Sequence, residues 1–125
     1  MARILYIEDN FDNRMLVTRV LMAEGFDIEG IEDPALGIEK ALSDPPDLIL
    51  MDINMPNISG LDATRKLRLA PQLAGTPIVA LTANATKDIL AQTLEAGCDG
   101  YITKPVDVDR LPIQILDYIR RREHR

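Results

Sequence analysis

The sequence has little cysteine and no long apolar segment. Its one cysteine, Cys98, has no second thiol to pair with, so no internal disulfide is possible and a reducing, cytoplasmic compartment is expected. No apolar run approaches the length of a membrane span, and residues 1–3 lead directly into a strand-like segment, so neither membrane insertion nor a signal peptide is predicted. The patterns G-x-x-x-x-G-K-[ST] and G-x-G-x-x-G are also missing, which disfavours a nucleotide-binding site.

Positive charge is scarce as well. The sequence contains 14 Lys and Arg against 20 Asp and Glu, and its net charge of −6 argues against binding nucleic acid, because phosphate backbones recruit basic side chains. With 125 residues, 46% of them apolar, the chain can bury enough surface for the core of one domain. No linker, repeat or low-complexity stretch divides it, so a single domain over residues 1–125 is predicted.

The hydrophobic pattern alternates five times between a strand-like run and a helical stripe. The strand-like runs cover residues 3–7, 28–31, 47–52, 77–82 and 100–103. The run that ends at Asp52 is apolar on both faces, which is typical of a central strand in a parallel sheet covered by helices. Five strand–helix pairs predict an α/β fold with a doubly wound, five-stranded parallel sheet and helices on both faces.

The helical segments carry their own boundary signals. The buried face of the first helix is predicted from an apolar stripe, Leu16, Val17, Val20 and Leu21. Gly25 fits a left-handed cap after this helix, and Asp33 and Ser59 are good N-caps for the second and third helices. The fourth helix is expected over 87–96, and the last is expected to start near Asp109.

Chemically active side chains stand where four of the predicted strands end. The first strand ends in Glu8 and Asp9, the third in Asp52, the fourth in Thr82 and the fifth at Lys104. Ligands of open α/β sheets bind beyond the carboxyl ends of the strands, so these groups are expected to converge. Each of these residues, taken singly, could be an ordinary structural residue such as part of a solvated turn. The complementary set at four strand ends is what predicts a functional site.

Three carboxylates at one edge of a sheet call for a cation. They repel one another, and at least one would remain protonated unless a metal joined them. Mg²⁺ suits such a cluster because it prefers one or two carboxylates together with water and phosphate oxygens. A carboxylate nucleophile also needs the incoming phosphoryl charge to be neutralised, and Lys104 and Thr82 are suited to hold phosphoryl oxygens. The cluster therefore predicts Mg²⁺-dependent phosphoryl transfer to an aspartate.

With these residues, the sequence resembles the response regulator receiver domains of two-component signalling along its whole length, and most of all the free-standing kind. The matching features are the pair Glu8-Asp9, the strand ending in Asp52, Met55-Pro56, Gly60, Thr82-Ala83 and Lys104-Pro105. The resemblance implies a flavodoxin-like sheet with strand order 2-1-3-4-5 and a cis peptide bond before Pro105.

The resemblance also implies a metal site. Asp52 would be the phosphoacceptor. Asp9, Asp52 and the backbone carbonyl of Asn54 would bind Mg²⁺, and Glu8 would act through a water molecule. From the residues alone, Asn54 is equally well interpreted as a turn-forming residue.

A switch pair is implied in the same way. Lys104 and Thr82 would contact the phosphoryl group, and Thr82 and Tyr101 would rearrange when phosphate arrives. Taken without the resemblance, Tyr101 is equally a half-buried aromatic residue at a sheet edge.

The expected function is a phosphorylation-activated switch that is not a turnover enzyme on an external substrate. Its donor would be a histidine kinase or a histidine phosphotransfer protein, and its output would be binding of a protein partner through the fourth helix, fifth strand and fifth helix. A monomer or a weak, phosphorylation-dependent dimer is expected, without contact to nucleic acid or membrane.

Two alternative functions are less favoured. A phosphate-independent binding module of the same fold would not need the complete set of site residues. An aspartate-nucleophile hydrolase of the haloacid dehalogenase type also uses a strand-end Asp and Mg²⁺, but it resembles a D-x-D-x-T pattern in which Asn54 here replaces the second acid.

Overall fold

A computed structural model describes residues 2–55 and 58–123 of the chain. Within these residues, five strands alternate with five α-helices. The strands are β1 (Arg3–Ile7), β2 (Asp27–Ile31), β3 (Leu48–Asp52), β4 (Ile78–Thr82) and β5 (Gly100–Thr103). The helices are α1 (Phe11–Ala23), α2 (Pro34–Ser43), α3 (Gly60–Arg68), α4 (Lys87–Ala96) and α5 (Leu111–Glu123). A short 3₁₀ turn, Pro71–Leu73, follows α3.

The strands form one parallel sheet in the order β2-β1-β3-β4-β5. This confirms the predicted fold class and the strand order that the family resemblance implied. The chain reverses its direction across the sheet between β1 and β3, and ligand sites of doubly wound folds lie at such a point. The carboxyl ends of β1 and β3 are therefore neighbours in the structure.

Both faces of the sheet are covered, as the apolar sequence of β3 predicts. One apolar layer lies between the sheet and helices α1 and α5, and it contains Val17, Leu21 and Ile115. The other lies against α2, α3 and α4, and it contains Ala41 and Leu67. All five residues of β3 are buried because helices cover them from both sides.

The predicted helix caps are present. Gly25 has a φ of 91° and follows the last turn of α1, where a residue with a Cβ would be strained. The side chains of Asp33 and Ser59 accept hydrogen bonds from backbone N–H groups in the first turns of α2 and α3. These local contacts fix where the helices start relative to the strand ends.

Two helical predictions need correction. The last helix starts at Leu111 and not near Asp109, because the Asp107 carboxylate accepts hydrogen bonds from the N–H groups of Asp109 and Arg110 and forms a turn ahead of the helix. Leu16 is 46% exposed although it belongs to the predicted buried stripe. Of the four residues predicted to be buried, only Val17 and Leu21 are fully buried. The buried face of α1 is therefore narrower than predicted.

The remaining expectations concern single features. The peptide bond between Lys104 and Pro105 is cis, as predicted. None of the described helices is both long and apolar enough to cross a membrane. Pro56, part of one matching motif, lies outside the described residues.

Candidate phosphorylation site

Strand alternation brings three charged side chains to the same face of the sheet. Successive side chains on a strand point to opposite faces, so residues two apart share a face. Glu8, Asp52 and Lys104 each come two residues after a buried residue of the layer beneath α1 and α5. Those three buried residues are Tyr6, Leu50 and Ile102. The carboxyl ends of β1, β3 and β5 thus direct Glu8, Asp52 and Lys104 toward one another.

Lys104 joins the two acids directly. Its Nζ donates to Asp52 Oδ1 at 3.0 Å and to Glu8 Oε1 at 3.3 Å. The side chain of Glu8 is completely buried, that of Asp52 is 2% exposed, and that of Lys104 is 17% exposed. In such a poorly hydrated position, a charged carboxylate is stable only with a partner.

The carboxylates form a cluster that a hard cation can bridge. Oxygen atoms of Glu8, Asp9 and Asp52 all lie within 4.8 Å of one another. Asp52 Oδ1 also accepts a hydrogen bond from the Asn54 N–H at 3.0 Å, and the Asn54 side chain accepts one from the Ala83 N–H at 3.4 Å. The loop after β3 is therefore tied both to Asp52 and to the loop after β4.

The crowding changes the protonation of the site. Burial, together with the adjoining Asp52 carboxylate, raises the pKa of Glu8 to about 7, although Lys104 and Tyr6 act in the opposite direction. Burial would also raise the pKa of Asp52, but hydrogen bonds from Glu8, the Asn54 N–H and Lys104 outweigh burial and hold that pKa below its usual value. Of the two carboxyl groups, Asp52 therefore loses its proton more readily.

The pKa of Lys104 is raised, which is opposite to the effect that burial alone has on a lysine. Burial would lower it, yet the Asp52 and Glu8 carboxylates raise the pKa of Lys104 above its ordinary value. The two carboxylates thus favour the charged form of Lys104.

Thr82 and Tyr101 lie on the opposite face from the three charged side chains. Thr82 is completely buried at the end of β4, and its Oγ1 donates to the Asn84 carbonyl at 3.1 Å and accepts from the Asn84 N–H at 3.0 Å. Tyr101 pairs in register with Ala80, two residues before Thr82, and its side chain is 39% exposed. The structure places the two on adjacent strands of the same face.

The comparisons with known proteins agree on one family. The response regulator receiver domain family matches residues 4–116. A polar-differentiation response regulator, DivK of Brucella anthropi, is 34% identical over 116 residues, which are 93% of this chain and 94% of DivK. The chain belongs to the response regulator receiver domain family. The family match begins within β1 and covers the other four strands of the fold described above.

Other relatives of this receiver domain are longer. Response regulator ArlR of Staphylococcus saprophyticus is 37% identical over 121 residues, which are 97% of this chain but 54% of ArlR, so the receiver domain spans about half of that relative. Among solved structures, a CheY-like receiver domain protein from Methanospirillum hungatei matches with a TM-score of 0.91 and 26% identity over 99% of this chain and 98% of the other. CheY4 of Vibrio cholerae matches with a TM-score of 0.88 and 27% identity, over 95% and 98%.

Two residues that contact the site of this receiver domain are absent from the sequence-based prediction. The Arg14 guanidinium donates to the backbone carbonyls of Glu8 and Asp9, at 2.8 and 3.4 Å, and lies over the Phe11 ring. The Tyr6 hydroxyl donates to Glu8 Oε1 at 2.9 Å. The sequence could have identified Tyr6, because it is a polar residue two positions before Glu8 and therefore lies on the same face.

Proposed function

We propose that this receiver domain, spanning residues 1–125, accepts a phosphoryl group from a phosphohistidine donor on Asp52. The observation that carries the proposal is the contact between Asp52 and Lys104 inside the acidic cluster. A buried carboxylate with a lysine on one of its oxygens is a nucleophile whose product charge is partly offset in advance. In the reaction, a carboxylate oxygen of Asp52 attacks phosphorus while the P–N bond of the donor breaks.

The donor set of the site fits Mg²⁺. Asp9 and Asp52, with the backbone carbonyl of Asn54, would hold the ion, and Glu8 would act through a water molecule. Three carboxylate oxygens within 4.8 Å are the hard ligands that Mg²⁺ takes. The bound ion would supply positive charge that offsets the repulsion between the nucleophile and the phosphoryl oxygens.

Lys104 and Thr82 complete the proposed reaction site. Lys104 is already within hydrogen-bond distance of Asp52, so a phosphoryl group on that carboxylate would fall within reach of the ammonium. The Thr82 hydroxyl bonds Asn84 in the structure and would have to leave this partner to contact a phosphoryl oxygen. Because Tyr101 lies on the adjacent strand and on the same face as Thr82, we propose that the two rearrange together as the switch pair.

The output would be binding of a protein partner. The proposed surface consists of α4, β5 and α5, where Tyr101 and Leu94 are exposed. A histidine kinase or a histidine phosphotransfer protein in the cytoplasm would be the donor. The domain would catalyse its own phosphorylation and dephosphorylation and act on no external substrate.

Mg²⁺-dependent labelling by acetyl phosphate tests this function. With Mg²⁺ present, we expect intact-mass spectrometry to show the addition of one phosphoryl group, because acetyl phosphate carries an activated phosphoryl group that a carboxylate nucleophile can attack. With the metal chelated, we expect no addition. Equal labelling with and without Mg²⁺ would contradict the proposal.

The lysine contact gives a second prediction. Replacing Lys104 with alanine should slow labelling of Asp52 about 100-fold, because one charge-stabilising donor of the phosphoryl group is removed. The protein should still acquire phosphate, and the time course of the intact mass measures the rate.

A matched control is Lys66→Ala, which removes an exposed lysine of α3. It should label at the wild-type rate. We also expect beryllofluoride to shift the amide NMR signals of Tyr101 and Thr82 in the control but hardly in Lys104→Ala. Wild-type labelling and shifts in Lys104→Ala would remove Lys104 from the reaction and from the switch.

A further inference from the structure

A tyrosine lies in the interior of the strand that leads to the acidic pair. Tyr6 is completely buried one residue before the end of β1, in the layer beneath α1 and α5. Residues two apart on a strand share a face and lie about 6.6 Å apart, so long side chains at such positions can lean toward one another. A tyrosine at position 6 can therefore place its hydroxyl beside Glu8, and its oxygen lies 2.9 Å from Glu8 Oε1.

We propose that Tyr6 is a positioning residue of the phosphorylation site. Its hydrogen bond orients the Glu8 carboxylate. In this orientation Glu8 joins Asp9 and Asp52 in the acidic cluster, and Lys104 contacts both Glu8 and Asp52. The proposal rests on the proposed function, and it extends the site from the strand ends into the core.

The hydrogen bonds around Glu8 support this role. Glu8 Oε1 accepts from the Tyr6 hydroxyl at 2.9 Å and from Lys104 at 3.3 Å, and Oε2 accepts from the Asn10 N–H at 3.4 Å. The tyrosine bond is the shortest of the three. Because Tyr6 is completely buried in the core, bulk water does not reach its end of the contact to replace that bond. Loss of the hydroxyl would therefore remove the shortest of these three contacts, the one that comes from the core.

Core packing alone does not account for a tyrosine here. An apolar ring would fill the same space, whereas a buried hydroxyl needs a hydrogen-bond partner. The partner that Tyr6 uses is a member of the acidic cluster, so its hydroxyl bears directly on the site. A group that orients a metal-binding carboxylate in this way usually changes metal affinity when it is lost.

Titration calorimetry with MgCl₂ on the Tyr6→Phe variant tests the proposal. The substitution keeps the ring and removes one oxygen atom, so the fold should persist, and thermal unfolding verifies this. We expect the Kd for Mg²⁺ to rise about tenfold. In acetyl phosphate labelling, the Mg²⁺ concentration for half-maximal rate should rise by the same factor, while the rate at saturating Mg²⁺ should stay within about twofold of wild type.

The matched control is Tyr118→Phe, which removes a hydroxyl from a half-buried tyrosine that packs against Gly100. Its Mg²⁺ affinity should equal that of the wild type. A ¹³C NMR signal from the Glu8 carboxyl should shift in metal-free Tyr6→Phe and stay in place in Tyr118→Phe.

The outcomes separate this proposal from the function on which it rests. If Tyr6→Phe binds Mg²⁺ as the wild type does and its Glu8 signal is unmoved, the positioning role is refuted while the phosphorylation function stands. If both tyrosine variants weaken Mg²⁺ binding equally, the effect is not specific to the Glu8 contact and the role is also refuted. If the wild-type protein is not labelled in the presence of Mg²⁺, the proposed function itself fails.

Discussion

Replacing Asp52 with asparagine is expected to lower labelling by acetyl phosphate by at least about 10³-fold, which amounts to complete loss in a mass spectrum. An amide oxygen is a poor nucleophile and forms no acyl phosphate, so the reaction loses the group that attacks phosphorus. The fold should survive, because asparagine has nearly the same shape and its side-chain oxygen can still accept from the Asn54 N–H and from Lys104.

Asp62→Asn is the matched control. Asp62 is an exposed aspartate of α3 whose carboxylate pairs with Arg65 on the same helix, away from the cluster. This variant should be labelled fully, with an unfolding midpoint close to that of the wild type, since an exposed pair of this kind contributes little. A full phosphoryl mass on Asp52→Asn would assign the nucleophile to another residue, and Asp9 of the same cluster would be the next to test.

Gly60→Ala is expected to have the largest effect on stability. Gly60 opens α3 directly beside the end of β3, and a Cβ there would collide with the Asp52 carbonyl oxygen and lie 2.6 Å from the Ile53 Cα. These are backbone atoms, which cannot rotate away as a side chain can. We expect a loss of about 3 kcal/mol in the free energy of unfolding, measured by urea denaturation. The strain should also displace Asp52 and slow its labelling.

Gly75→Ala is the control for this substitution. A Cβ at Gly75 would have Arg122 Nε as its nearest neighbour, 4.0 Å away, so it has room. Its stability should change by less than about 1 kcal/mol, because alanine mainly restricts the unfolded chain. If Gly60→Ala were as stable as Gly75→Ala, the close approach of α3 to β3 would not be the reason for glycine at position 60.

Much of the fold follows from local patterns. The apolar run before Asp52 indicates a buried central strand because a strand that is apolar on both faces must be covered on both sides. Gly25 and Ser59 mark helix boundaries because a left-handed backbone and an N-cap oxygen act within a few residues. The start of α5 was misplaced because the Asp107 turn offers an alternative local hydrogen-bond pattern just before the helix.

The sequence identifies candidate members of the site but not their contacts. Strand ends identify Glu8, Asp9, Asp52, Thr82 and Lys104 as candidates. The sequence does not show that the Thr82 hydroxyl bonds Asn84, since a strand-end threonine has several partners within reach. Nor did it identify Arg14, because the contact from the guanidinium to the carbonyls of the acidic pair depends on how α1 packs.

The amino-acid sequence by itself determined the strand–helix order, the buried central strand and the chemical nature of the groups at the strand ends. These depend on residues close to one another in the chain. The tertiary structure alone decided that Lys104 meets Glu8, 96 residues away, and that α3 approaches β3 so closely that only glycine fits. Such distances are set by the packing of the sheet and its helices as a whole, in which every element constrains the others.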